Sequence, residues 1–185
     1  MRKLITLFAL LLCCMVASAQ KIDEMKVDEF TKDTIKTTSW EIFYQSFTYT
    51  NHFRLVKING TKILELKFML SNAIFSVDKK DVLYLKLEND SIISFNPARY
   101  IVTERGAGAI GLNGSGTYGA DIDYIPGSYS YFNTLKNVDV VKIRFNTSSG
   151  YYEFEINKKN SAKIKKAFTI IDEPYTPKST VYQSF

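Results

Sequence analysis

HFRLVKINGTKILELKFML, residues 52–70, is the stretch of sequence that decides the fold. At its centre lies Asn59-Gly60, the strongest short signal for a β-hairpin because both residues tolerate positive φ. A two-residue turn at this point sets the register and predicts three cross-strand pairs: Leu55 with Leu64, Phe53 with Leu66, and Arg54 with Glu65. The first two pairs share an apolar face, and the third is an ion pair on the opposite face. A slip of one residue would destroy this agreement, so we expect a hairpin with one packed and one solvated face.

Other strand signals extend along most of the chain. A second hairpin with Thr147–Gly150 as its turn predicts five cross-strand pairs: Phe145 with Tyr152, Ile143 with Phe154, Val141 with Ile156, Arg144 with Glu153, and Lys142 with Glu155. A third hairpin is predicted for residues 82–95 around Asn89-Asp90. Shorter strands are predicted at 40–49, which would open the sheet, and at 100–104 and 120–125.

The sequence indicates one helix, near the C-terminus, which Asn160 or Ser161 can cap. Four apolar residues with helical spacing would pack its inner face on the sheet: Ile164, Ala167, Phe168 and Ile171. We therefore predict a mainly β fold, an antiparallel β-sandwich or partly closed barrel of about seven to nine strands with one C-terminal amphipathic helix. A pleckstrin-homology-like barrel and a lipocalin-like barrel both fit this order of elements.

The N-terminal residues predict export from the cytoplasm. Arg2 and Lys3 precede an apolar run of about thirteen residues, the usual length in a signal peptide and shorter than the roughly 20 residues of a membrane-spanning helix. Ala17-Ser18-Ala19 supplies a cleavage site before Gln20. We thus expect a signal peptide at 1–19, a single β-rich domain at 20–172 and a flexible tail at 173–185. The exported protein would lie in the periplasm or on the cell surface, with no transmembrane segment.

Composition removes several classes of chemistry. Cys13 and Cys14 would leave with the signal peptide, so disulfide, thiol and cysteine–metal chemistry are not expected. Loss of Arg2 and Lys3 lowers the formal net charge from +5 to +3, which does not favour nucleic acid as a partner. His52 is the only histidine, and no catalytic constellation is visible around it in the sequence. We expect neither an enzyme nor a bound metal or cofactor.

The candidate ligand site lies in the glycine- and tyrosine-rich residues 105–132. Residues 106–111 match the dinucleotide fingerprint G-x-G-x-x-G, but the glycines that follow prevent the helix that the fingerprint requires. Tyrosines beside a long irregular segment offer large contact area to a sugar or a protein, and two nearby carboxylates would share one face of a strand. The candidate ligand-binding residues are Tyr118, Tyr124, Tyr129, Tyr131, Asp121 and Asp123.

The chain resembles the small secreted, uncharacterised proteins common in Bacteroidetes. The resemblance rests on the cleavage site ASAQ and on four stretches: VDEFTKDTIKTTSW (27–40), FSVDKKDVLYLKLENDSI (75–92), GAGAIGLNGSGTYG (106–119) and KIRFNTSSGYYEFEINKKNSAKIKKAF (142–168). It implies secretion. No activity is attached to such proteins, so the resemblance assigns no functional residue to this chain.

The sequence favours a non-enzymatic binding or interaction domain of the cell envelope that uses residues 105–132, with a glycan or another envelope protein as its partner. Two alternatives stay open. A lipocalin-like carrier of a small apolar ligand would need a large apolar cavity. A hydrolase built on carboxylates would need a cleft holding acidic groups with raised pKa values.

Overall fold

The structure is a computed structural model that describes residues 20–47, 50–70, 74–110 and 117–174. The predicted signal peptide and its cleavage site therefore lie outside or at the border of the described residues. So do residues 111–116 of the glycine-rich segment and all but the first two residues of the predicted tail.

Within the described residues the chain forms thirteen strands and two helices. The strands are β1 (Ile22–Val27), β2 (Thr34–Thr38), β3 (Glu41–Gln45), β4 (Thr50–Ile58), β5 (Thr61–Leu70), β6 (Ser76–Val77), β7 (Leu83–Leu87), β8 (Ile92–Pro97), β9 (Ile101–Val102), β10 (Glu104–Arg105), β11 (Tyr118–Pro126), β12 (Val140–Thr147) and β13 (Gly150–Glu155). The helices are α1 (Ser130–Asn137) and α2 (Lys158–Ile170).

Eleven of these strands form one antiparallel sheet, in which nine follow the order β1-β2-β4-β5-β11-β8-β7-β12-β13. Strand β3 also pairs with β4, β10 pairs with β11, and β6 and β9 form a separate two-stranded sheet. The large sheet is not closed. The predicted fold class, a mainly β antiparallel fold with a C-terminal helix, is confirmed, and the open sheet is consistent with a β-sandwich.

The predicted hairpin registers are found in the structure. In β4 and β5, Leu55 lies opposite Leu64 and Arg54 lies opposite Glu65. In β12 and β13, Ile143 lies opposite Phe154 and the two charged pairs also match. These registers were predictable because turn geometry and alternating polarity are local properties of the sequence.

Two parts of the fold differ from the prediction. Residues 40–49 were expected to open the sheet, but β1 and β2 precede them, and the strand in that stretch is limited to β3. Strand β1 has no buried residue, so it lacks the alternation of apolar and polar residues by which a strand is recognised in a sequence. Helix α1 was not predicted; it has eight residues, no side-chain hydrogen bond at its N-cap and only two buried side chains.

The core lies where the sheet folds over itself. Phe68 of β5 stacks on Phe145 of β12 with 3.9 Å between ring centroids, although three other strands separate β5 from β12 in the sheet. Helix α2 covers one end of this core, and its predicted apolar stripe is buried. Among the described residues, the void between α2 and the sheet measures only about 20 Å³.

Candidate functional site

The structure spreads the six predicted site residues along β11 and the segment that follows it. Tyr118 begins this strand, whereas Tyr129 and Tyr131 follow its other end. The strand extends about 26 Å from Tyr118 to Pro126, at roughly 3.3 Å per residue. The four tyrosines therefore do not form one cluster.

The tyrosines also differ in exposure. Tyr124 is fully buried, and within the described residues its hydroxyl has no hydrogen-bond partner. Burial, and secondarily the charge of Asp81, raises the pKa of Tyr124 well above its ordinary value. Tyr131 is half-buried against the core, whereas Tyr129 is 65% exposed. Tyr124 belongs to the core, and only its neighbours can contact a ligand at the surface.

Asp121 and Asp123 share the outer face of β11, as their spacing predicts. Cross-strand pairing places Asp121 in a row with Lys67 and His52, and Asp123 in a row with Glu65 and Arg54. Asp121 is already engaged, because Lys67 binds it at 3.1 Å and the backbone N–H of Gly108 donates to it at 3.1 Å. In the part of the chain that the structure describes, no group of three or more candidate metal ligands occurs.

Trp40 covers part of this charged face. The guanidinium of Arg54 lies 4.6 Å from the centroid of its ring, and the ammonium of Lys67 lies 5.0 Å from it. His52 lies opposite Lys67 as predicted, and burial, followed by the charge of Lys67, lowers its pKa. Arg54 and Lys67 also form ion pairs with Glu65 and Asp121, and these contacts around the aromatic ring stabilise the surface of the sheet.

The first part of the glycine-rich segment packs closely on the sheet. Gly108 has φ +74°, and a Cβ placed on it would lie 2.5 Å from the backbone oxygen of Phe68. Gly119 is as crowded, because its Cβ would lie 2.2 Å from the backbone oxygen of Ala107. In the described residues, these glycines allow two backbone segments to approach each other closely. This is a structural role, and it differs from the phosphate binding that the dinucleotide fingerprint would indicate.

Replacing Gly108 with alanine should destabilise the protein by roughly 1–3 kcal/mol, because the new Cβ meets backbone and the φ is unfavourable. Chemical denaturation measures this loss. Gly60 is the matched control, because it also has positive φ (+91°) but nothing lies within 4 Å of its Cβ position. A loss for Gly108→Ala no larger than for Gly60→Ala would contradict the close packing.

A groove of about 330 Å³ lies on the outer face of β7, β8, β12 and β13. Two cross-strand rows build it. One runs Ser94–Tyr84–Arg144–Glu153 and the other Ile92–Lys86–Lys142–Glu155. Tyr84 is 37% exposed and Ile92 is 64% exposed, so the groove combines apolar surface with charged groups. Local sequence predicts the Arg144–Glu153 and Lys142–Glu155 pairs but not the groove, which depends on the pairing of β7 with β12.

The charged groups of the groove are held in place by one another. Arg144 donates to Glu153 at 2.6 Å and 2.7 Å through two nitrogens, and its guanidinium lies 4.7 Å from the ring centroid of Tyr151. The hydrogen bond from Arg144 lowers the pKa of Glu153, against a smaller opposing effect of burial. Lys142 binds Glu155 at 2.8 Å. An ordered set of donors and acceptors therefore lies beside exposed aromatic rings.

The groove lies close to one end of the glycine- and tyrosine-rich residues 105–132. The N–H of Gly127 donates to the backbone oxygen of Ser94 at 3.0 Å, and Ser94 lies directly opposite Tyr84. A Cβ on Gly127 would lie 2.9 Å from the Ser94 hydroxyl and 3.5 Å from the ring of Tyr131. Residues 127–131 thus approach the groove from one side, while Tyr118 and Asp121 lie elsewhere on β11.

In comparisons with known proteins, no protein family, curated protein or solved structure matches the chain. Of the helices formed by the described residues, none has the length and apolar character needed to cross a membrane.

Proposed function

We propose that this chain is a non-enzymatic glycan-binding domain of the cell envelope, and that the groove on the outer face of β7, β8, β12 and β13 holds the sugar. One observation carries the proposal. The exposed ring of Tyr84 lies beside the ordered Arg144–Glu153 pair in a groove of about 330 Å³.

These groups match the two surfaces of a sugar ring. The C–H face of a pyranose packs well on a tyrosine, which offers large area at low entropy cost. The sugar hydroxyls need both donors and acceptors, which Arg144, Lys142 and Glu153 supply in fixed positions. An exposed ion pair can exchange part of its hydration for sugar hydroxyls at little cost.

The size of the groove indicates the length of glycan that it holds. Its volume lies at the lower end of the range for small-molecule sites, roughly 300–1,000 Å³, and suits about one or two sugar rings. Tyr151 is 61% exposed on the Arg144 side of the groove, where a further sugar ring of a longer glycan would stack on it. On the opposite side, Gly127 and Tyr131 border the row that contains Tyr84.

The alternative functions receive less support. The void of about 20 Å³ beneath α2 is too small for an apolar ligand of the kind that a carrier holds. A hydrolase acid would need a raised pKa, whereas the pKa of Glu153, the carboxylate lining the groove, is lowered. These observations favour binding over transport or hydrolysis.

The experiment is isothermal titration calorimetry of the mature chain against a panel of envelope polysaccharides and their oligosaccharides. Tyr84→Ala should weaken binding about tenfold, because it removes the stacking surface. Tyr100 is the matched control; it is 60% exposed but does not line the groove, so Tyr100→Ala should bind like the unchanged protein. Tyr129→Ala separately tests the exposed tyrosine among the residues predicted from sequence. Equal affinity of the Tyr84→Ala and Tyr100→Ala variants would refute the proposed site.

A further inference from the structure

A row of three lysines crosses β2, β4 and β5 on the inner face of the sheet. Lys36 lies directly opposite Lys57, and Lys57 lies directly opposite Lys62. Like charges at opposite positions of adjacent strands are destabilising, and here they lie at the covered end of the sheet. Lys36 is only 7% exposed. Such a row requires negative charge from elsewhere in the fold.

The C-terminal end of α2 supplies part of that charge. Asp172 accepts from Lys57 at 3.0 Å, from Lys62 at 2.6 Å and from Lys136 of α1 at 2.7 Å. Lys36 donates to the backbone oxygens of Ile170, at 3.2 Å, and Glu173. The helix end therefore holds one lysine through its terminal carbonyls and three through a single carboxylate.

The positive charge exceeds the negative charge in this cluster. Three ammonium groups share the one carboxylate of Asp172, and Lys36 has Glu173 as a further acidic neighbour. Burial, and then the charge of Lys57, lowers the pKa of Lys36. Partly buried positive charge without a full counterion is costly, and a bound anion would reduce that cost.

A cavity of about 210 Å³ opens on this cluster. Lys36 and Lys57 line it together with Thr34 and Asn59 at the end of the β4–β5 hairpin, and Ile171 and Glu173 border it from the helix side. The volume is below the usual range for drug-sized ligands, so the cavity suits a small group. The lining holds two lysines against one carboxylate, Glu173, and lysine side chains at a small cavity can donate charged hydrogen bonds to a phosphate group.

We propose that this cavity is a second binding site, distinct from the groove, and that it takes a phosphate group, either as free phosphate or as a small phosphomonoester. The phosphate oxygens accept from Lys57 and Lys36 and supply the charge that Asp172 alone does not. Because the site joins β2, β4 and the end of α2, its occupation stabilises the folded chain by mass action.

The test uses the mature chain with inorganic phosphate and with glycerol phosphate, at constant ionic strength set by chloride. Calorimetry should show saturable binding of at least one of them, and the thermal midpoint should rise in the presence of the bound compound. Binding of inorganic phosphate alone would identify free phosphate as the ligand, and tighter binding of the ester would identify a phosphomonoester. Failure of both compounds to bind would overturn the proposal.

The variant Lys57→Met should weaken phosphate binding at least about tenfold, because it removes a charged donor. The matched control is Lys165→Met. Lys165 is similarly exposed, 29% against 30% for Lys57, and is also paired with one aspartate, but it does not line the cavity. Lys57→Gln provides a second variant with a neutral polar side chain, and thermal unfolding checks that each variant is folded. Equal weakening by the changes at Lys57 and Lys165 would overturn the proposal.

Discussion

Replacing Phe68 with alanine is expected to destabilise the protein by about 3–5 kcal/mol. The Phe68 side chain is fully buried and stacks on Phe145 at 3.9 Å between centroids. It also makes edge contacts with Phe154 at 5.5 Å and Phe75 at 6.0 Å. One ring thus joins β5 to β12 and β13 across the fold, so the cavity left by alanine would lie between two layers that cannot easily collapse onto each other.

Urea denaturation followed by circular dichroism measures this loss. Phe30 is the matched control, because it is the same residue type at 94% exposure, and Phe30→Ala should change stability by less than about 0.5 kcal/mol. A loss below about 1 kcal/mol for Phe68→Ala would contradict the layered packing around this ring.

Replacing Asp172 with asparagine is expected to cost about 2–3 kcal/mol at pH 7. The change leaves Lys57, Lys62 and Lys136 together without their shared carboxylate. Breaking a fully buried ion pair costs about 3–5 kcal/mol, but the side chain of Asp172 is 26% exposed, so solvent screening reduces the cost. Asp90→Asn is the control, because Asp90 binds one lysine at 85% exposure and should contribute little.

The effect of Asp172 should depend on pH. Burial alone would raise its pKa, but hydrogen bonds from Lys136, Lys62 and Lys57 lower it well below its ordinary value. A carboxyl with a lowered folded pKa stabilises the protein fully above its unfolded pKa of about 3.9, and this stabilisation is lost as pH falls below that value. The stability difference between the unchanged protein and Asp172→Asn should therefore be constant from pH 5 to 7 and shrink in more acidic solution. A difference that does not change down to pH 2 would show that ionisation is not its cause.

The parts of the fold that sequence predicted are those set by local spacing. The Asn59-Gly60 turn fixes the pairing of Leu55 with Leu64, and helical spacing fixes the buried face of α2. Strand β1 and helix α1 were not predicted, because the first has no buried alternation and the second is short and lacks a side-chain cap.

The candidate sites were harder to predict because they depend on pairing between distant segments. The groove exists because β7 pairs with β12, which places Tyr84 opposite Arg144. Nothing in the local sequence around either residue fixes that register. The lysine cluster likewise joins β2, β4, β5 and both helices around Asp172. The tyrosines around β11 were adjacent in sequence, but the strand carries Tyr118 away from Tyr129 and buries Tyr124.

The most direct test of the proposed glycan site is a titration of isotope-labelled protein comprising residues 20–185 with the tightest-binding oligosaccharide, followed by proton–nitrogen correlation spectra. We predict that the amide shifts concentrate on β7, β8, β12 and β13 around Tyr84 and Arg144, with smaller changes at Gly127 and none at Asp121. Shifts centred on Asp121 and Lys67 instead, or the absence of localised shifts for every glycan in the panel, would contradict glycan binding in the groove.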